Sequence, residues 1–267
     1  MKLRRWASTA TAVAVFLGLS TLGASTATAE EAAPTGYVAL GDSYSSGVGA
    51  GDYDSGSGDC KRSANAYPQL WSAANSPSSF DFTACSGART GDVISGQLGP
   101  LNDSTGLVSI SIGGNDAGFA DAMTTCVLQG ESACLTRIQE ARDYIANTLP
   151  GKLDSVYNAI RDKAPSAKVA VLGYPNIYKL EGDCSVGISE KSRAAVNSAA
   201  ADLNDVTAKR AADHGFSFGD VRPAFTGHEI CSGDEWLHSV TVPVGDSYHP
   251  TAAGQSGGYL PTLNGLV

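Results

Sequence analysis

Five short runs rich in β-branched or aromatic residues constrain the fold of this chain more than any other feature. They are YVAL from residue 37, FDFTA from 80, LVSISI from 107, KVAVLG from 168 and FSFGD from 216. A short apolar run bounded by turn residues is the pattern of a buried strand. The segments between them are longer, polar and alanine-rich, with helical spacing. The clearest spans Glu190 to His214, where Val196, Ala199, Ala200, Leu203 and Val206 recur on one face. Ser189 is placed to cap its start and Gly215 to stop it. Strands alternating with helices predict an α/β fold whose mostly parallel, five-stranded sheet is covered on both faces. No repeat or long linker divides the chain.

The N-terminus reads as a targeting segment rather than part of that fold. Lys2, Arg4 and Arg5 precede the apolar stretch WASTATAVAVFLGLSTLGA, and Ala27-Thr28-Ala29 supplies a small-residue cleavage pattern. Residues 1–29 are therefore expected to be a secretory signal peptide and 30–267 one folded domain, secreted and extracellular. Basic pairs such as Arg4-Arg5 occur in ordinary and twin-arginine export signals alike. Removing the segment takes three of 18 basic side chains and none of 27 acidic ones, which deepens the net charge of −9. Such a balance argues against nucleic acid and against electrostatic docking on anionic lipid. No later stretch reaches the length of a membrane span. All six cysteines, Cys60, Cys85, Cys126, Cys134, Cys184 and Cys231, lie after residue 29. An even number in an exported chain reads as three disulfides, with 15 connectivities open. Without a C-x-x-C pair or histidines at ligand spacing, no metal is expected. The Gly/Ser/Asp-rich stretch 49–60 lacks the glutamate that would close a calcium loop, and reads as a flexible loop.

Ligands of open α/β sheets bind beyond the carboxyl ends of the strands. Gly254-Gln255-Ser256-Gly257-Gly258 matches the nucleophile elbow G-x-S-x-G, but no strand precedes it and no histidine follows it. It belongs instead to a C-terminal helix. Ser43 leaves the first strand in YVALGDSYSSG. Gly87 follows the second in ACSGARTGDV, Asn115 follows the third in GGND, and His249 sits in DSYHP. A serine alcohol needs a base to take its proton, and acyl transfer needs donors for its oxyanion. Ser43 N–H, Gly87 N–H and the Asn115 amide supply three donors, and His249 the base. Taken singly, the glycines read as turns, Asn115 as an Asx-turn and His249 as a surface histidine. Asp42 and Asp116 read as carboxylates that fix their loops.

In this order the four blocks resemble the SGNH, or GDSL, hydrolase family, and GDSY departs from its name only at the fourth position, which carries no catalytic atom. YVALGDSYSSGVGAG, FTACSGARTGDV, SIGGNDAGFAD and HPTAAGQ are most similar to the small lipases and esterases of that family secreted by filamentous soil bacteria. The resemblance covers essentially the whole chain after residue 29. It implies a flavodoxin-like three-layer αβα sandwich and hydrolysis of carboxylic esters without cofactor or metal. It also implies disulfides 60–85, 126–134 and 184–231. Asp246, three residues before His249, stands where the family places its triad acid, and its carboxylate is expected to orient His249 as the third catalytic residue, although a main-chain carbonyl takes that role in some members.

The expected function is thus extracellular hydrolysis of fatty-acyl esters, with triacylglycerols and nitrophenyl esters as substrates, by a monomer with no integral membrane association. Trp236 and Leu237, near the histidine block, are the candidates for lining the substrate pocket. On the same scaffold the alternatives are a phospholipase A, a lipid acyltransferase or a carbohydrate acetylesterase. Outside enzymes, the alternative is a secreted binding module.

Overall fold

The structure, a computed structural model, describes residues 35–184 and 187–267; the expected signal peptide at 1–29 lies outside them. β1 (Gly36–Gly41) runs into the one-turn helix α1 (Ser43–Ser46), α2 (Tyr67–Asn75) leads to β2 (Ser79–Phe82), and α3 (Thr90–Asp92) to β3 (Thr105–Ser111). Then come α4 (Phe119–Leu128), α5 (Gly130–Asn147), α6 (Leu149–Lys163) and β4 (Lys168–Leu172). The long α7 (Glu190–Asp213) precedes β5 (Ser217–Gly219), and α8 (Arg222–Phe225) and α9 (Leu260–Asn264) follow.

The strands form one sheet in the order β2-β1-β3-β4-β5, with every neighbouring pair parallel. All six residues of β1 are buried, which is why YVAL reads as a continuous apolar run and not an alternating one. Helices α4 to α7 pack on one another, with α7 against β4 and β5; α2 and α9 pack together, with α9 against β4. The result is the three-layer α/β fold. Its centre includes Leu40, Ile110 and Leu172, all fully buried, each contributing about 1.5–3 kcal/mol. Tyr37 lies between Trp71 of α2 and Phe80 of β2, with ring centroids 5.0 and 5.1 Å away. Its buried hydroxyl is paired with Ser109 Oγ at 2.7 Å, which offsets the cost of taking this polar atom out of water.

The ends of α7 follow from local chemistry. Ser189 Oγ accepts from Ser192 N–H, and after Asp213 the chain turns through Gly215 at φ +68°. Residues 49–60, expected as a flexible loop, contain a short helical turn and hydrogen bonds to neighbouring segments. Asp54 caps a 3₁₀ turn over Ser55–Cys60, and Ser86 N–H donates to the Cys60 carbonyl at 3.1 Å. The disulfides are Cys60–Cys85, Cys126–Cys134 and Cys184–Cys231. The first ties this loop to the end of β2. Gly254–Tyr259 forms a π-helical turn running into α9, where exposed Ser256 donates to the Ala252 carbonyl at 2.9 Å.

Candidate active site

Ser43 owes its position to the two residues before it. Gly41 has φ +122°, and a Cβ there would lie 2.4 Å from the Ser111 carbonyl oxygen, so only glycine lets β1 leave the sheet here. Asp42 then caps α1: its N–H donates to the Ser111 carbonyl at 2.9 Å, and its Oδ1 accepts from Tyr44 N–H at 3.0 Å. Ser43 is the first residue of α1. The Tyr174 hydroxyl, at the end of β4, donates to Asp42 Oδ2 and accepts from Gly114 N–H at 3.3 Å. One tyrosine therefore ties the loops after β1 and β3 together. Burial outweighs these bonds and pushes the Asp42 carboxyl up to about 7.

His249 reaches Ser43 from a folded-back segment near the C-terminus. His238 N–H donates to the His249 carbonyl at 3.0 Å, Tyr248 N–H to the His238 carbonyl at 2.9 Å, and Leu237 bridges to Pro250. The Tyr44 hydroxyl donates to the Tyr248 carbonyl at 2.6 Å, which links this segment to α1. The imidazole Nε2 lies 2.7 Å from Ser43 Oγ, and Nδ1 lies 3.0 Å from the Ser247 carbonyl oxygen. A carbonyl only accepts, so Nδ1 carries the proton and Nε2 presents its lone pair to the serine hydroxyl. Burial pushes the histidine down to about 4, against the opposing pull of the Ser247 carbonyl and Asp246.

The carboxylate of Asp246 does not make the bond expected of a triad acid. It pairs with Lys61 Nζ at 3.3 Å, while the Nδ1 partner is the carbonyl two residues before the ring. The reason is local. A 3₁₀ turn at Val244–Asp246 and the positive φ of Tyr248, +64°, redirect the chain so that the Ser247 carbonyl faces Nδ1.

The three candidate donors come from three strand ends. Gly87, at φ +78°, sits in a turn closed by Ala88 N–H on the Cys85 carbonyl at 3.1 Å. Asn115 Nδ2 donates one N–H to the Ala88 carbonyl at 3.1 Å, which fixes the amide plane and leaves the second N–H. Asp116 accepts from Thr90 N–H at 2.9 Å and from Thr90 Oγ1 at 2.6 Å, pinning the loop after β2 to the loop after β3. Among the described residues no protein acceptor takes the N–H of Ser43 or of Gly87. Ser43, Gly87, Asn115 and His249 all border one cavity of about 600 Å³.

The walls of that cavity are not those expected from the sequence. Trp236 and Leu237 do not line it. Trp236 stacks on His228 with centroids 3.7 Å apart and packs edge-on against Phe225, while Leu237 is buried beside Pro250. The apolar walls come instead from Phe119 and Met123 of α4, Ile138 and Ile145 of α5, and Val196 and Leu203 of α7. Ala141, Ala199 and Ala200 stand between these larger side chains, so the facing helices leave volume unfilled. A serine–histidine pair and three N–H donors bordering the same apolar cavity suit an ester with a hydrocarbon acyl chain.

A model of the GDSL-like lipase/acylhydrolase family matches residues 39–256. The chain is 66% identical over 265 residues to a lipase of Streptomyces rimosus, with 99% of each chain covered. It superimposes on the solved structure of an extracellular lipase from Streptomyces rimosus with a TM-score of 0.86 at 69% identity, covering 87% of this chain and 100% of the other. A phospholipase A1 from Streptomyces albidoflavus NA297 gives a TM-score of 0.86 at 67% identity, covering 88% and 100%.

Proposed function

We propose, on the premise that this chain belongs to the GDSL-like lipase/acylhydrolase family and is an ester hydrolase, that it is a secreted lipase cleaving fatty-acyl esters through a Ser43 acyl-enzyme. The observation carrying this reading is the 2.7 Å approach of His249 Nε2 to Ser43 Oγ at the edge of an apolar cavity. His249 takes the Ser43 proton at Nε2 as Oγ attacks the ester carbonyl. The developing oxyanion receives hydrogen bonds from Ser43 N–H, Gly87 N–H and the second Asn115 N–H. As the C–O bond to the alcohol breaks, His249 returns its proton to the leaving oxygen. Water then loses a proton to Nε2 and attacks the acyl carbon; as the bond from that carbon to Ser43 Oγ breaks, Nε2 returns the proton to Oγ, releasing the acid and restoring the neutral pair.

The orienting group in this scheme is the Ser247 carbonyl, so we read the catalytic pair as a dyad with Asp246 outside it. Asp246→Asn is expected to lower turnover by about tenfold or less, about 1.4 kcal/mol. The carboxylate stabilises the imidazolium from a distance, so its removal moves the acid limb of kcat/KM to lower pH. That limb belongs near pH 4 in the native chain, because only neutral His249 accepts the serine proton. A pH–rate profile of both proteins, with activity checked after return to pH 7, tests this; a loss of several orders of magnitude restores Asp246 to the triad.

Secretion is proposed from the expected signal peptide at 1–29; among the described residues no helix is long and apolar enough to cross a membrane. Phospholipase A activity is a second reading, favoured by the likeness to a protein named phospholipase A1. Nitrophenyl esters from acetyl to palmitoyl, a triacylglycerol and phosphatidylcholine separate the readings. Medium-length acyl esters are expected to exceed acetyl at least about tenfold, since each buried methylene contributes about 0.8 kcal/mol. Preference for phosphatidylcholine selects the phospholipase, preference for acetyl the carbohydrate esterase, and no turnover the binding module.

A further inference from the structure

The edge of the cavity carries an apolar feature that the hydrolytic chemistry does not use. The segment before the histidine reads SVTVPVG over residues 239–245, with no charge, and its three valines are exposed: Val240 at 57%, Val242 at 93% and Val244 at 74%. The end of α4 supplies Val127 at 42% and Leu128 at 75% exposure, in a stretch, 122–130, that is also free of charge. Val127, Leu128, Val240 and Val244 border the cavity, and Val242 stands beside them on the same segment, outside it. Two uncharged segments, distant in sequence, thus hold their exposed aliphatic side chains around one opening. A monomer gains nothing from a β-branched side chain left 93% exposed; such a cluster marks a contact with something apolar.

We infer that this rim is an interfacial docking surface, through which the protein seats its cavity mouth on a neutral or zwitterionic lipid surface. The inference rests on the lipid-ester reading above. Two features identify the occupant. The rim is continuous with the apolar cavity, so a chain leaving the lipid would pass from hydrocarbon to hydrocarbon without crossing water. The chain's net charge of −9 opposes approach to anionic lipid, so attachment must come from buried apolar area and not from charge.

Val242→Asp tests this, since Val242 lies outside the cavity and its full exposure makes the change harmless to folding. Full-length Ser43→Ala protein, with and without Val242→Asp, is centrifuged with phosphatidylcholine vesicles and with vesicles containing phosphatidylserine. The parent is expected to partition onto phosphatidylcholine at least as well as onto the anionic vesicles, and Val242→Asp to weaken that partition about tenfold. In the Ser43-containing chain, Val242→Asp should slow hydrolysis of an emulsified triacylglycerol by a similar factor and leave soluble nitrophenyl acetate or butyrate unchanged. Unaltered vesicle partition and emulsion activity in Val242→Asp overturns the docking surface, as does a parent that ignores both vesicles or that self-associates through the rim on sedimentation. Failure of the native chain to hydrolyse even the soluble esters instead removes the lipase reading, whatever the vesicles show.

Discussion

Ser43→Ala is expected to reduce ester turnover by a factor on the order of 10⁶ while the protein stays folded. The size follows from the chemistry: without Oγ there is no acyl-enzyme, and what remains is a cavity with oxyanion donors acting on water. The stability cost is small because one oxygen is removed, and its hydrogen-bond partner among the described residues, His249 Nε2, borders a cavity that water can enter. His249→Ala should lose nearly as much, and the double variant little more than either, because the two act in one step and their effects do not add. A fluorophosphonate should label Ser43 in the native chain and nothing in Ser43→Ala. Ser256→Ala should keep full activity, because that hydroxyl is exposed and spent on the Ala252 carbonyl. Residual activity within a hundredfold of native for Ser43→Ala, or label found on Ser256, would end the assignment.

The sheet was legible because parallel strands between two helical layers are buried on both faces and so rich in apolar side chains. YVAL and KVAVLG therefore announce β1 and β4 as continuous apolar runs, while LVSISI of β3 alternates, its Ser109 and Ser111 fully buried and Ser109 paired with Tyr37. Helix α7 was legible because Ser189 and Gly215 bracket a regular apolar face. The same face shows where reading a sequence stops. Val196, Ala199, Ala200 and Leu203 mark a buried stripe, but nothing in their spacing says that part of the stripe faces a cavity. The alanines are the available clue, since small side chains on facing helices leave space, and that clue needs the partner helix to be known. Trp236 and Leu237 drew attention by lying near His249 in the chain, yet the backbone turns their side chains toward Phe225, His228 and Pro250. Tyr174 belongs to no motif block, although it directly follows the KVAVLG run, at the strand end where site residues of such sheets gather. Asp246 shows a finer limit: sequence spacing brings a residue close, but backbone dihedrals decide whether its side chain or a neighbouring carbonyl meets the ring.

Asn115→Ala is expected to lower kcat by 10²–10³-fold, the usual effect of losing one oxyanion donor. The amide is suited to that role because one N–H is held by the Ala88 carbonyl at 3.1 Å, so the second is oriented before substrate arrives and needs no reorganisation in the transition state. The two other donors are main-chain groups that no side-chain substitution removes, which makes Asn115 the member of the trio open to a direct test. Its loss should fall on kcat more than on KM, since charge on the carbonyl oxygen appears only as the tetrahedral species forms. Folding should suffer little: the Ala88 carbonyl loses one partner in a part-buried site, and the Thr90–Asp116 pair still joins the two loops. Asn115→Asp should be worse than alanine, because a carboxylate supplies no donor and places negative charge where the oxyanion develops. Affinity for a boronic acid that mimics the tetrahedral species should fall in parallel with kcat across the three proteins. If kcat falls less than tenfold, or if KM alone rises, Asn115 is only a strut for the Ala88 loop, and the oxyanion is held by the Ser43 and Gly87 N–H groups.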